Sequence, residues 1–93
     1  MKAPPLKARR YAVCVSVGDY HVSLEARKIY EVWPDPDAES HGQLRVVDES
    51  GEDYLFPAEY FRMVKFPADV DRLIQASMRE STRRRRTASR SRR

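Results

Sequence analysis

Apolar and β-branched residues occur along this chain in short runs separated by turn-forming residues, a pattern typical of a mostly β domain. Gly18, the prolines after Trp33 and Gly51 provide the turns between these runs. Because Gly51 lies between two of the runs, we predict a hairpin there. The five predicted strands are 10–17, 27–33, 43–48, 53–57 and 62–66.

The period of the pattern changes after the last predicted strand. Pro67 is suited to a helix start, and Asp69 falls in the first turn, where its charge favours the helix dipole. Apolar residues then recur at helical spacing, which predicts a helix over 67–80 that packs on the sheet or on a partner. The residues of this stripe are Val70, Leu73, Ile74 and Met78.

Both ends of the chain differ from the middle. Residues 1–9 contain Pro4 and Pro5, which disfavour a helix and lack the N–H that a sheet needs, so they predict an extended arm. Residues 81–93 form the second end, and they have no apolar side chain larger than alanine. Such a segment buries too little surface to offset its ordering entropy, so we predict a disordered basic tail.

Several short words between residues 11 and 66 resemble SH3 domains. The main one is residues 55–64, Leu-Phe-Pro-Ala-Glu-Tyr-Phe-Arg-Met-Val, which is similar to the family's proline-led turn before its last strand. Residues 23–32 and 42–47 resemble the segments that lead into its second and third strands. The resemblance implies a small five-stranded SH3-like barrel over 10–66. The chain also resembles small uncharacterised bacterial SH3-like proteins, which implies a fold and not a function.

The resemblance also implies candidate contacts for an extended peptide. Pro57 and Tyr60 match the turn that forms one wall of the family's groove, while Tyr20 and Trp33 are further aromatic candidates. Each of these residues could instead pack the core or the end of the barrel. Gln43 takes the place of the family's groove tryptophan, so we expect a partner other than a proline-rich peptide.

Charge is divided sharply along the chain. Residues 1–10 carry a net +4, residues 11–71 carry −8 and residues 72–93 carry +8. An acidic body therefore lies between two basic ends, and the domain itself is not expected to bind nucleic acid.

Seven arginines in residues 83–93 allow three interpretations. They could contact RNA, DNA or a ribosome through phosphates, they could form a solubilising tail that touches the acidic body, or they could meet an anionic membrane surface. The candidate nucleic-acid contacts are Arg83, Arg84, Arg85, Arg86, Arg90, Arg92 and Arg93.

The residues that carry enzyme chemistry are sparse in this chain. Cys14 is the only cysteine and lies in an apolar run, which predicts a buried thiol and no intrachain disulfide. His21 and His41 have no metal-ligand spacing, and the acidic clusters lack the order of an EF-hand. We therefore predict no enzyme activity, no metal and no cofactor.

The sequence pattern does not predict membrane insertion or secretion. No apolar run is long enough to cross a bilayer, and the first residues lack the apolar core of a secretory signal. We expect a cytoplasmic protein. Our first hypothesis is a protein-interaction module with a protein or peptide partner, and the alternative is a nucleic-acid- or ribosome-associated protein that binds through its tail.

Overall fold

A computed structural model describes residues 3–78 of the 93-residue chain. Five strands form one antiparallel sheet in the order β4-β3-β2-β1-β5. The predicted tail, 81–93, lies outside the described residues, as do the last two residues of the predicted helix. The strands are β1 Arg10–Cys14, β2 Ile29–Trp33, β3 Gln43–Val47, β4 Asp53–Pro57 and β5 Phe61–Val64.

The mostly β fold with a C-terminal helix is confirmed, whereas the predicted barrel is not. Within residues 3–78, β4 and β5 are the two edges of the sheet and do not pair with each other. A single 3₁₀ turn, Ala58–Tyr60, connects them and directs β5 across the fold to pair with β1. The sheet therefore stays open along these two edges.

The end of the first strand and the segment after the second strand differ in detail from the prediction. β1 ends at Cys14, not at residue 17, because its partner β2 begins only at Ile29 and residues 15–28 form a loop. A short helix, α1 (Pro36–Ser40), occupies the acidic segment after β2. Asp35 caps it, since its carboxylate accepts a hydrogen bond of 3.1 Å from the Ala38 N–H.

One face of the sheet forms the hydrophobic core. Strand alternation places every second side chain on this face, and Leu24 from the 15–28 loop closes over it with 1% of its surface exposed. Cys14 lies here, and its predicted burial is confirmed. The strand residues of the core are Ala12, Cys14, Tyr30, Val32, Val46, Phe56 and Phe61.

The opposite face is covered partly by the C-terminal helix, α2, which runs over 68–78 to the end of the described residues. Tyr11 lies on this face, almost fully buried, with its ring 6.2 Å from that of Phe66. Burial raises the pKa of Tyr11, and the charges of Glu31 and of Asp71 on α2 raise it further. The helix therefore packs beside Tyr11.

The predicted stripe on α2 is wrong at one position. Val70, Ile74 and Met78 are half-buried, but Leu73 is 69% exposed. The protected side of α2 also includes Asp71, so the helix is rotated away from Leu73. The helical spacing alone could not show that Leu73 is exposed. Leu73 lies at the edge of the apolar stripe, where the rotation of the helix decides whether the side chain is covered.

Candidate functional site

An open groove of about 380 Å³ lies where the 15–28 loop meets the β3–β4 hairpin. We call it the aromatic groove. Tyr20 and Ser23 line it from the loop, Asp48 and Ser50 from the hairpin turn, and residues 54–56 from β4. Because β4 is an edge strand, one side of its backbone is not used by the sheet.

A chain of aromatic rings connects the groove to the core. The Tyr20 ring meets the Phe56 ring edge-on at 5.0 Å, and the Tyr60 ring lies 6.1 Å from Tyr20. Phe56 in turn is 6.3 Å from Phe61 in the core. Tyr20 keeps 41% of its surface exposed and Tyr54, on the other side of the groove, keeps 48%. The groove thus presents two exposed tyrosines on a fixed aromatic base.

Successive turns hold Tyr20 in place. Its N–H donates to the Val17 carbonyl at 2.7 Å, and its own carbonyl accepts from the N–H groups of Ser23 and Leu24 at 2.9 and 2.8 Å. The loop is joined to the hairpin because the Glu49 N–H donates to the Ser23 carbonyl at 3.0 Å. Both walls of the groove are therefore fixed relative to each other.

Gly18 and Tyr60 approach each other closely behind Tyr20. Gly18 has a φ of +51°, which favours glycine, and a Cβ added there would lie 2.0 Å from the Tyr60 hydroxyl oxygen. The Tyr60 carbonyl accepts from the Val15 N–H at 2.8 Å, which anchors the turn to the end of β1. The position of the Tyr60 ring therefore depends on the missing side chain at Gly18.

The hairpin wall of the groove is acidic. Asp48 is only 6% exposed, and one of its oxygens accepts from the Ser50 N–H at 2.9 Å. The Tyr54 hydroxyl donates to Glu52 at 3.0 Å, and this bond is the first cause of the raised pKa of Tyr54. Within residues 3–78, neither Asp48 nor Glu52 has a cation at ion-pair distance.

A buried tyrosine fastens the loop to the hairpin below the groove. The Tyr30 hydroxyl donates to the Glu49 carboxylate at 2.6 Å and accepts from the Glu25 N–H at 2.8 Å. Lys28 reaches the same carboxylate oxygen at 2.6 Å. Burial, followed by the hydrogen bond to Glu49, raises the pKa of Tyr30 well above its ordinary value of 10.0.

Replacing Tyr30 with phenylalanine should lower the free energy of unfolding by about 1–3 kcal/mol, because the Glu25 N–H and the Glu49 carboxylate each lose a partner. Urea unfolding of the wild type and the variant measures this difference. Tyr20→Phe, which removes an exposed hydroxyl, is the control and should change stability little.

Tyr30→Phe should also change how the free energy of unfolding depends on pH in the alkaline range. Since the pKa of Tyr30 is higher in the folded state, its contribution is fully present below pH 10 and is lost as the pH rises towards the folded value. Above pH 10 the wild type should lose up to about 1.4 kcal/mol per pH unit from this group. An identical slope in Tyr30→Phe would contradict the assignment.

Of the four predicted groove residues, the structure places Tyr20 in the lining of the groove, Tyr60 in the adjacent 3₁₀ turn and half-buried Pro57 at the start of that turn. Tyr60 contacts Tyr20. Trp33 does not join them. It lies on the opposite face of the sheet, where it pairs with Arg45, and it is 9% exposed.

Trp33 is part of a separate cluster of polar contacts. Its indole N–H donates to the Glu31 carboxylate at 2.6 Å, and the Arg9 guanidinium lies 5.9 Å from the ring centre. Arg9 also pairs with Glu31 at 3.0 Å. These contacts enclose the indole. The exposed aromatic side chains of the groove are therefore tyrosines, and Trp33 is not one of its contacts.

Five polar or aromatic residues of the groove were not predicted: Ser23, Asp48, Ser50, Tyr54 and Phe56. The sequence did contain a signal for Tyr54. It lies two residues before Phe56 on β4, so the two side chains are on the same face of the strand. The polar residues had none, because they come from separate turns that only the folded chain brings together.

Seven predicted nucleic-acid contacts cannot be placed relative to the groove. All of them lie outside the described residues: Arg83, Arg84, Arg85, Arg86, Arg90, Arg92 and Arg93.

Residues 3–78 contain neither a metal-binding cluster nor a helix that could cross a membrane. That part of the chain has no group of three or more His, Cys, Asp or Glu side chains placed to hold a metal ion. Neither does it contain a helix with the length and apolar character needed to cross a bilayer. Comparison with protein-family models, curated proteins and solved structures finds no match to this chain.

Proposed function

We propose that this protein is a non-enzymatic protein-interaction module that binds an extended peptide segment in the aromatic groove. The observation that carries the proposal is the pair of exposed tyrosines, Tyr20 and Tyr54, on either side of the buried Phe56 ring. Tyrosines held in this way offer contact area at a low entropic cost and are enriched at binding hot spots.

The edge strand supports an extended partner. β4 forms one wall of the groove and, among the residues that the structure describes, has only β3 as a neighbour in the sheet. A segment that lies along β4 can form main-chain hydrogen bonds while its side chains meet the tyrosines. We also propose that the sheet is of the SH3-like type, supported by the resemblance of residues 55–64 and by the 3₁₀ turn inside them.

The test is selection of binding peptides from a random display library by the full-length protein. Selected peptides should lose at least about tenfold in affinity for Tyr54→Ser, because a central aromatic contact is worth more than 1 kcal/mol. Leu73→Ser is the matched control, since it removes an exposed apolar side chain on α2, outside the groove.

Two results would contradict the proposal. One is a library from which nothing is enriched over an unrelated β protein of similar charge. The other is a set of peptides that bind Tyr54→Ser as tightly as they bind the wild type.

The alternative proposal is nucleic-acid or ribosome binding through the tail. Its supporting observation is the density of arginines in residues 83–93, which would bind phosphates with little sequence preference. The net −8 of residues 11–71 disfavours contact between the folded body and the same polymer.

A further inference from the structure

The charge of the groove and the charge of the C-terminal segment are opposite. The hairpin turn next to the groove carries Asp48, Glu49, Glu52 and Asp53, while residues 83–93 carry seven arginines and no acidic residue. Of the four carboxylates, Glu49 is paired with Lys28 and Asp53 with Arg45. Among residues 3–78, the exposed carboxylate of Glu52 has no cation at ion-pair distance, whereas Asp48 is nearly buried and is bonded to Ser50.

Two acidic positions at the other end of β3 are less suitable for a basic segment because they already have cation partners. On the first helix and its cap, Asp35 is engaged by Arg45 at 2.8 Å and Glu39 by Arg10 at 3.1 Å. The ion pairs of Asp35 and Glu39 do not involve an exposed aromatic ring. The groove combines free negative charge with the faces of two exposed tyrosines, and arginine is the residue that can use both.

The segment is long enough to reach the groove. Fifteen residues follow Met78, the last described residue of α2. At roughly 3.3 Å per residue an extended chain of this length spans about 50 Å. The longest dimension of the molecule is 43 Å. The segment can therefore pass from α2, beside Tyr11, to the other side of the sheet.

We propose that the chain's own arginine-rich segment, residues 83–93, binds in the aromatic groove. This rests on the proposed function, because it uses the same surface and assigns arginine-rich segments as the class of ligand. Guanidinium groups stack on Tyr20 and Tyr54 and pair with the exposed carboxylate of Glu52. Since the segment is tethered, its effective concentration is in the millimolar range, and weak contacts are enough to hold it.

The test compares amide chemical shifts of two full-length proteins at low salt: the wild type and a variant with all seven tail arginines replaced by glutamine. The shift differences within the folded body should cluster at Tyr20, Ser23, Ser50 and Tyr54. They should disappear at about 1 M NaCl, where the Debye length is only about 3 Å. No difference in the folded body, or differences centred on α1 or near Trp33, would overturn the proposal.

Two charge variants of the full-length protein test whether the segment binds the groove itself or follows the overall charge of the body. Glu52→Gln removes one charge at the groove and should weaken the tail-dependent shifts. Asp37→Asn removes one charge on α1, at the opposite end of β3, and should leave them unchanged. Equal effects of the two variants would mean that the segment follows overall charge and not the groove.

A binding measurement separates this proposal from the proposed function. If the tail occupies the groove about 80% of the time, selected peptides should bind the glutamine variant about fivefold more tightly than the wild type. Peptides that bind the groove equally in both proteins would overturn the tail contact and leave the module intact. Tail-dependent shifts without any selectable peptide would instead contradict the module.

An RNA oligonucleotide provides the last arm of the experiment. The proposal expects RNA binding by the wild type to release the groove, so that the amide shifts move towards those of the glutamine variant. RNA binding that leaves the groove amides unchanged would show that the arginines are not held there.

Discussion

Replacing Trp33 with alanine is expected to destabilise the fold by about 3–5 kcal/mol, the usual cost of removing a buried tryptophan. The indole is enclosed on the outer face of the sheet, and its N–H donates to the Glu31 carboxylate. The alanine variant leaves a cavity and takes a hydrogen-bond donor from Glu31, which is itself mostly buried. Urea unfolding monitored by far-ultraviolet circular dichroism measures the loss.

Trp33→Phe is the matched variant for this prediction. It keeps an aromatic ring beside Arg9 but removes the indole N–H, so the expected loss is smaller than for alanine. Peptide binding in the groove should be unaffected in the phenylalanine variant, because Trp33 lies on the other face of the sheet. A loss below about 1 kcal/mol for alanine would mark Trp33 as a surface contact instead.

Gly18→Ala should also have a large effect, about 2–5 kcal/mol. An alanine at a φ of +51° costs roughly 1–2 kcal/mol in backbone strain. The added Cβ would also overlap the Tyr60 side chain, whose nearest carbon would be 2.6 Å away. Displacing Tyr60, which packs against the core, adds about 1–3 kcal/mol.

Gly42→Ala is the control that carries only the backbone part of this effect. Gly42 also has a positive φ, of +76°, but an added Cβ there meets no atom within 4 Å. Its cost should therefore be the backbone strain alone, about 1–2 kcal/mol. If the two variants were equally destabilised in urea unfolding, the close approach of Gly18 to Tyr60 would be contradicted.

The sequence predicted those elements whose pattern is local. Residues 43–57 alternate and turn at Gly51, and they form the expected hairpin of β3 and β4. The open edge between β4 and β5 could not be predicted, because closure depends on how far the sheet coils and not on alternation. The exposure of Leu73 was likewise decided by how α2 packs beside Tyr11.

The groove was only partly predictable for the same reason. Tyr20 and Tyr60 were candidates because of the resemblance to SH3 domains, whereas the place of Asp48 near Tyr20 depends on contacts between the loop and the hairpin. The Tyr30 hydroxyl donates to the Glu49 carboxylate, and the Glu49 N–H donates to the Ser23 carbonyl. Both bonds connect segments that are far apart in sequence. Alternation shows that Trp33 and Val32 lie on opposite faces of β2, yet it does not show which face is the core.

The most direct test of the account is to map where a selected peptide binds, by titrating it into isotope-labelled full-length protein and following the backbone amides. The account predicts that the largest shifts occur at Tyr20, Ser23, Ser50 and Tyr54, on the two walls of the aromatic groove. Shifts centred on Trp33 and Arg45, on the opposite face of the sheet, would contradict it.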